Sequence, residues 1–207
     1  EYELQAELER VFRMHDAQPA YASIVGAGAN ACVLHYRDNN AKSRDGELVL
    51  IDAGAEYRGY AADITRTFPL NGRFSKPQRA LHDLVCAAQA AALALARPGI
   101  PYEAGHEVAI ATLTEGLLSL GLLKGRLETA IDRGDYKRYY RHKTGHWLGL
   151  DVHDVGEYRI DGESRLLEPG MVFTIEPGLY IPSDDTSVPA KWRGIGIRIA
   201  ADVLVTA

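Results

Sequence analysis

Leu48-Val49-Leu50-Ile51-Asp52-Ala53-Gly54, followed eleven residues after Asp52 by Ala62-Asp63-Ile64-Thr65-Arg66, is the stretch on which the reading of this chain turns. The first run has the apolar, β-branched character of a buried strand, yet it closes on a carboxylate. An unpaired carboxylate in such a place costs several kcal/mol or takes up a proton. If the chain reverses at Glu56-Tyr57-Arg58-Gly59 through a two-residue turn at Tyr57-Arg58, paired residues have numbers totalling 115. Asp52 then lies opposite Asp63 on one face, with Cβ atoms about 5 Å apart. Two carboxylates at that separation repel unless a cation lies between them. The alternative is structural, with Asp63 facing solvent and Asp52 ending its strand as a turn residue.

Outward from this hairpin, strand signals occur at Ile24-Val25, Cys32 to Tyr36, Val172 to Glu176 and Ile195 to Val205. Leu4, Leu8, Val11 and Phe12 mark one face of an opening helix. Ser75-Lys76-Pro77-Gln78 has the form of a capping box and predicts a helix running to Arg97, stopped by Pro98-Gly99. A third helix is predicted from Tyr102 to Leu120, ended by Gly121. Pro182 to Arg193 is polar and reads as a long loop. Strands joined as hairpins, with helices between them, favour an α+β fold over a doubly wound parallel sheet.

Two further places combine apolar sequence with ligand-type side chains. His142, His146 and His153, three of the seven histidines, fall within a dozen residues. Gly145 and Gly149 break any helix that would present His142 and His146 on one face, so loop and strand are expected there. Met171-Val172-Phe173-Thr174-Ile175-Glu176-Pro177-Gly178 is a second apolar strand closed by a carboxylate. Each feature alone is compatible with a structural role. Together they offer two Asp, one Glu and imidazole, a donor set suited to Mn, Co, Fe or Zn. Paired carboxylates of this kind also serve two-metal hydrolytic centres.

The 207 residues carry 23 Lys plus Arg against 28 Asp plus Glu, a formal charge of −5, with 46% hydrophobic residues. This composition excludes a disordered chain and argues against a nucleic-acid binder, which needs a basic face. The longest apolar stretch, Val85 to Ala96, has 12 residues and contains Gln89, too short to span a bilayer. Two distant cysteines, Cys32 and Cys86, do not suggest a disulfide framework. With no visible signal peptide, the expectation is a cytoplasmic protein. The chain opens inside a helical pattern without Met and stops just after a strand-like run, as a fragment of a longer protein would.

Five segments in order resemble Xaa-Pro aminopeptidase (aminopeptidase P), of the family that includes methionine aminopeptidase, prolidase and creatinase. They are residues 50–54, 63–69, 145–156 (Gly-His-Trp-Leu-Gly-Leu-Asp-Val-His-Asp-Val-Gly), 168–180 and 193–199. The resemblance covers essentially the whole chain as one catalytic-type domain, without the amino-terminal domain that aminopeptidase P usually carries. It implies the α+β pita-bread fold, a curved antiparallel sheet covered by helices, holding two ions, usually manganese, with zinc or cobalt as substitutes. Asp52 and Asp63 would be metal ligands, Asp63 bridging, and His146 and Glu176 would hold the other ion. His35 and His153 resemble the substrate-side histidines, His142 a further pocket histidine, and Arg198 an arginine that holds a ligand carboxylate. The implied substrate is a peptide with proline in second position, attacked by hydroxide activated at the metal centre. Family members are often dimers or tetramers, so a homo-oligomer is implied as well.

One position departs from the pattern. After Ile-Gly-Ile-Arg-Ile the family has a Glu bridging both ions, where this chain has Ala200 and Ala201. Two divalent ions then face three carboxylates instead of four. The expectation is one firmly held metal at most and impaired turnover. Asp202 is on the same strand face, but a period-two step of about 6.7 Å leaves it too far away to substitute. Two other readings remain: an inactive pseudo-peptidase that binds peptides in the same cleft, and a metal-free hydrolase of creatinase type.

Overall fold

A computed structural model describes residues Glu1–Ala207. In chain order the elements are α1 (Tyr2–Met14), β1 (Gln18–Pro19), β2 (Ile24–Ala27), β3 (Leu48–Ala53), β4 (Ala55–Glu56), β5 (Ile64–Pro69), α2 (Lys76–Leu93), α3 (Tyr102–Ser119) and α4 (Leu127–Asp132). They continue with β6 (Arg159–Ile160), β7 (Glu163–Ser164), β8 (Val172–Ile175), β9 (Gly178–Ile181), β10 (Ile195–Arg198) and β11 (Ala201–Leu204). All strand pairs are antiparallel: β2-β3-β5 form a three-stranded sheet, while β10 pairs with β9, β11 with β8, β1 with β4 and β6 with β7. The α+β expectation holds.

The capping box predicted for α2 forms as read: the Ser75 backbone N–H donates to Gln78 Oε1 and the Gln78 N–H to Ser75 Oγ. α2 packs on α3, and Leu81, Val85, Leu113 and Leu117 from these helices join Leu179, Ile181, Ile195 and Ile197 of the β9-β10 hairpin in the main core. No helix is long and apolar enough to cross a membrane.

Three expectations are corrected. Cys32 to Tyr36 is not a strand. Gly28–Cys32 forms a 3₁₀ turn, and a tight turn from Val33 to Tyr36 follows. The buried Glu1 carboxylate gathers the neighbouring chain, accepting from the Ala27 and Ala41 backbones, Asn30 and Tyr36. Ile195 to Val205 is two strands, not one, since the chain leaves β9 for β8 at Ile199-Ala200.

The hairpin register also shifts. Tyr57 pairs with Tyr60, so the turn residues are Arg58 (φ 52) and Gly59 (φ 85), the positive-φ pair of a type I′ turn. Gly59 meets that demand without strain. Asp52 therefore faces Thr65 rather than Asp63. Moving a turn by one residue moves the partner by two, and a period-two strand keeps the same face. Asp63 remains on the face of Asp52, one diagonal step away.

Candidate metal centre

Asp52 is the next-to-last residue of β3, and Asp63 immediately precedes β5. Gly54 permits this approach: a Cβ there would lie 1.5 Å from the Ala62 carbonyl oxygen. Both carboxylates are buried and bridged by one hydroxyl, Tyr21 Oη, which lies 2.5 Å from Asp52 Oδ1 and 3.1 Å from Asp63 Oδ1.

His146 arrives from the opposite half of the chain. Residues 144–148 run antiparallel beside β8, with the Thr174 N–H donating to the His146 carbonyl (2.9 Å) and the Glu176 N–H to that of Thr144 (2.7 Å). This extended path agrees with the reading that rejected a helix. It sets His146 Nε2 at 3.3 Å from Asp63 Oδ2 and 3.2 Å from Glu176 Oε1. Thr174, a fully buried polar residue in an apolar strand, donates to Glu176 Oε1 and accepts the His146 N–H, each at 3.0 Å.

Electrostatics follow from burial and pairing. Burial raises the Asp52 carboxyl above its usual range, with Arg198 opposing the rise and Asp63 adding to it. Burial acts the same way on Asp63, but its hydrogen bond and ion pair with His146 prevail and hold it low. His146 is lowered by burial, yet hydrogen bonds to Asp63 and Glu176 outweigh that and lift it to about 10.

Arg198 is 4% exposed and donates from Nη2 to Asp52 Oδ2 at 2.5 Å and from Nη1 to Tyr180 Oη at 2.9 Å. It holds Asp52 as the resemblance implied. Removing one partner of such a buried pair costs about 3–5 kcal/mol.

The remaining expected residues lie in the same cavity, of about 810 Å³, lined in part by His35, His142 and His153. His153 packs edge-on against His146, ring centroids 4.2 Å apart. His142 Nε2 is 2.8 Å from Tyr180 Oη, and burial pushes its pKa down. Ala200 is fully buried, its N–H donating to the Thr65 carbonyl at 3.0 Å and its own carbonyl accepting from Arg66. Asp202 turns both carboxylate oxygens to the Asp63 backbone N–H at 3.2 Å, and burial lifts its pKa to about 6.

Sequence reasoning missed Tyr21, Thr174 and Tyr180. Thr174 carried a signal, a hydroxyl buried in an apolar strand that must find partners. Tyr21 and Tyr180 carried none, since an isolated tyrosine is an ordinary core residue.

The donor set fits a divalent metal. Asp63, His146 and Glu176 offer ligand atoms all within 4.8 Å of one another, and oxygen donors with one imidazole suit Mn, Zn or Co. Neither cysteine joins them, Cys32 Sγ being hydrogen-bonded to the Ile181 carbonyl at 3.3 Å.

The chain resembles known proteins along its whole length. The chain is 50% identical over 207 residues to Xaa-Pro aminopeptidase of Haemophilus influenzae, covering 100% of this chain and 48% of that protein. Its fold matches aminopeptidase PepP of Pseudomonas aeruginosa with a TM-score of 0.98 and 56% identity, over 99% of this chain and 47% of that one. A glutamate-to-alanine variant of Escherichia coli aminopeptidase P in complex with substrate matches at TM-score 0.96 and 49% identity, over 100% of this chain and 47% of that one. The chain thus spans about half the length of the relatives it matches and has the pita-bread fold of aminopeptidase P. The model of metallopeptidase family M24 matches residues 1–207, and the chain belongs to that family.

Proposed function

We propose that this chain is the catalytic domain of a cytoplasmic, metal-dependent aminopeptidase that releases the N-terminal residue from peptides with proline in second position, and that Ala200 impairs it. One observation carries the reading: a single imidazole nitrogen, His146 Nε2, lies 3.3 Å from Asp63 and 3.2 Å from Glu176 across the two halves of the chain. Asp52, Asp63, His146 and Glu176 would hold the metal, manganese by resemblance, with one ion held firmly. When bound, the metal supplies Lewis-acid polarisation and a water of lowered pKa.

The chain's own residues do the positioning. Arg198 and Tyr21 fix the Asp52 carboxylate, and Thr174 fixes Glu176. His35, His142 and His153 line the cavity and would orient the scissile amide. Ala200 brings no side-chain oxygen to this cluster, and Asp202 is occupied with the Asp63 main chain.

Metal analysis after dialysis and an Ala-Pro-Ala cleavage assay test the proposal. The expected result is about one tightly held manganese and slow cleavage. Ala200→Glu then adds a second ion and raises turnover on the order of 100-fold, the size of effect that one lost electrostatic group in an active site produces. Two tight ions and efficient cleavage without that substitution would overturn the impairment.

Ala200 also favours a second reading, an inactive pseudo-peptidase that binds peptides in this cleft. Peptide binding without recovered cleavage in the Ala200→Glu protein would select it. Manganese that binds only the folded state must raise the melting temperature, and no shift at millimolar manganese would favour the metal-free readings.

A further inference from the structure

The charged side chains lining the cavity are unevenly satisfied. Asp52 is paired with Arg198, and Asp63 and Glu176 share His146. Glu103 is held by Arg159 at 2.5 Å. Only Arg37 and Lys143 line the cavity as charges without an ion-pair partner, and both are cationic. Both are exposed, and neither side chain has a hydrogen-bond partner within the chain. They come from segments more than a hundred residues apart, Arg37 two positions after His35 and Lys143 directly after His142. His35 and His142 line the same cavity as the two free cations.

Free positive charge on the wall of a cleft attracts a negative group on whatever enters it. Part of the wall is apolar, with Leu34, Ile24 and Val152 among its residues, so the ligand to expect is a molecule with apolar bulk and one anionic end. We infer that Arg37 and Lys143 bind a carboxylate carried by the peptide beyond its proline, either the C-terminus of a short peptide or an acidic side chain. The inference rests on the reading of the cleft as a peptide site and adds to it a selection by charge and length. Peptide length matters because each extended residue advances the chain by only about 3.3–3.6 Å.

The test is calorimetric binding to the manganese-loaded protein of Ala-Pro-(Ala)n peptides, three to five residues long, as free acids and as C-terminal amides. A parallel pair, Ala-Pro-Asp-amide against Ala-Pro-Asn-amide, examines the acidic side chain. At one length or in the side-chain pair, the carboxylate form is expected to bind roughly 3- to 10-fold tighter, as two solvent-facing ion pairs allow. The ratio should fall towards one in the Arg37→Gln/Lys143→Gln double variant, and also at high salt. Both positions are exposed, so folding of the variant is checked simply by its melting temperature. Equal affinity of acid and amide in every pair, or a preference that survives in the double variant, overturns the inference alone. Failure of every peptide to bind, acid or amide, overturns the peptide-site reading and the inference together.

Discussion

At His146 two carboxylates, from Asp63 and Glu176, converge on one imidazole nitrogen and lift its pKa to about 10 from an ordinary 6.5. The folded-state pKa is raised, so the stabilisation is full below about pH 6.5 and is lost as pH climbs through about 10. Protein stripped of metal should lose melting temperature across that window relative to its His146→Gln variant. A coordinating imidazole must shed the same proton, so manganese affinity should rise with pH over the same range. Titrations between pH 6.5 and 9 giving a constant affinity would contradict both statements. At this scale the sequence was legible wherever a carboxylate closed an apolar strand, as at Asp52 and Glu176. It was silent at Tyr21, whose hydroxyl gains meaning only from two aspartates more than thirty residues away.

The β3–β5 hairpin shows what an element adds to its residues. The same-face relation of Asp52 and Asp63 came from period-two parity and survived a register error, because the turn moved by a single residue to meet the positive-φ preference of Gly59. Two glycines here make unequal demands. An alanine at Gly59 has space, its nearest neighbour being Leu150 Cδ2 at 4.0 Å, and suffers only backbone strain of about 1 kcal/mol. An alanine at Gly54 would drive Cβ into the Ala62 carbonyl at 1.5 Å and force the strands apart beside both aspartates. Gly54→Ala should therefore destabilise more than Gly59→Ala in urea titrations and, unlike it, weaken manganese binding. The start of helix α2 was legible because its capping box is local, whereas its end was not, since the helix stops at Leu93 rather than Arg97. Cys32 to Tyr36 was not legible, because its partners lie far off in sequence, Glu1 for the Tyr36 hydroxyl and the Ile181 carbonyl for Cys32 Sγ.

Over the whole molecule, the main core lies between α2, α3 and the β9-β10 hairpin, while the carboxylates sit on strand ends facing the cavity. Leu113, fully buried between the helices, belongs to the first region. Leu113→Ala should cost about 2–5 kcal/mol in urea unfolding, yet leave manganese affinity at 25 °C within about twofold, since additivity holds between well-separated sites. A parallel fall in affinity would mean that the helical layer sets the cluster's geometry directly. By itself the sequence determined most of the element types, the α+β class and the ligand candidates, because periodicity, caps and carboxylates in apolar runs are local properties of the chain. It misread Cys32 to Tyr36, which is no strand. Only the tertiary structure decided which candidates meet. His146 reaches Asp63 and Glu176 through the pairing of residues 144–148 with β8 and the folding of both halves around one cavity. Contacts over such separations depend on packing and register, which no single segment encodes.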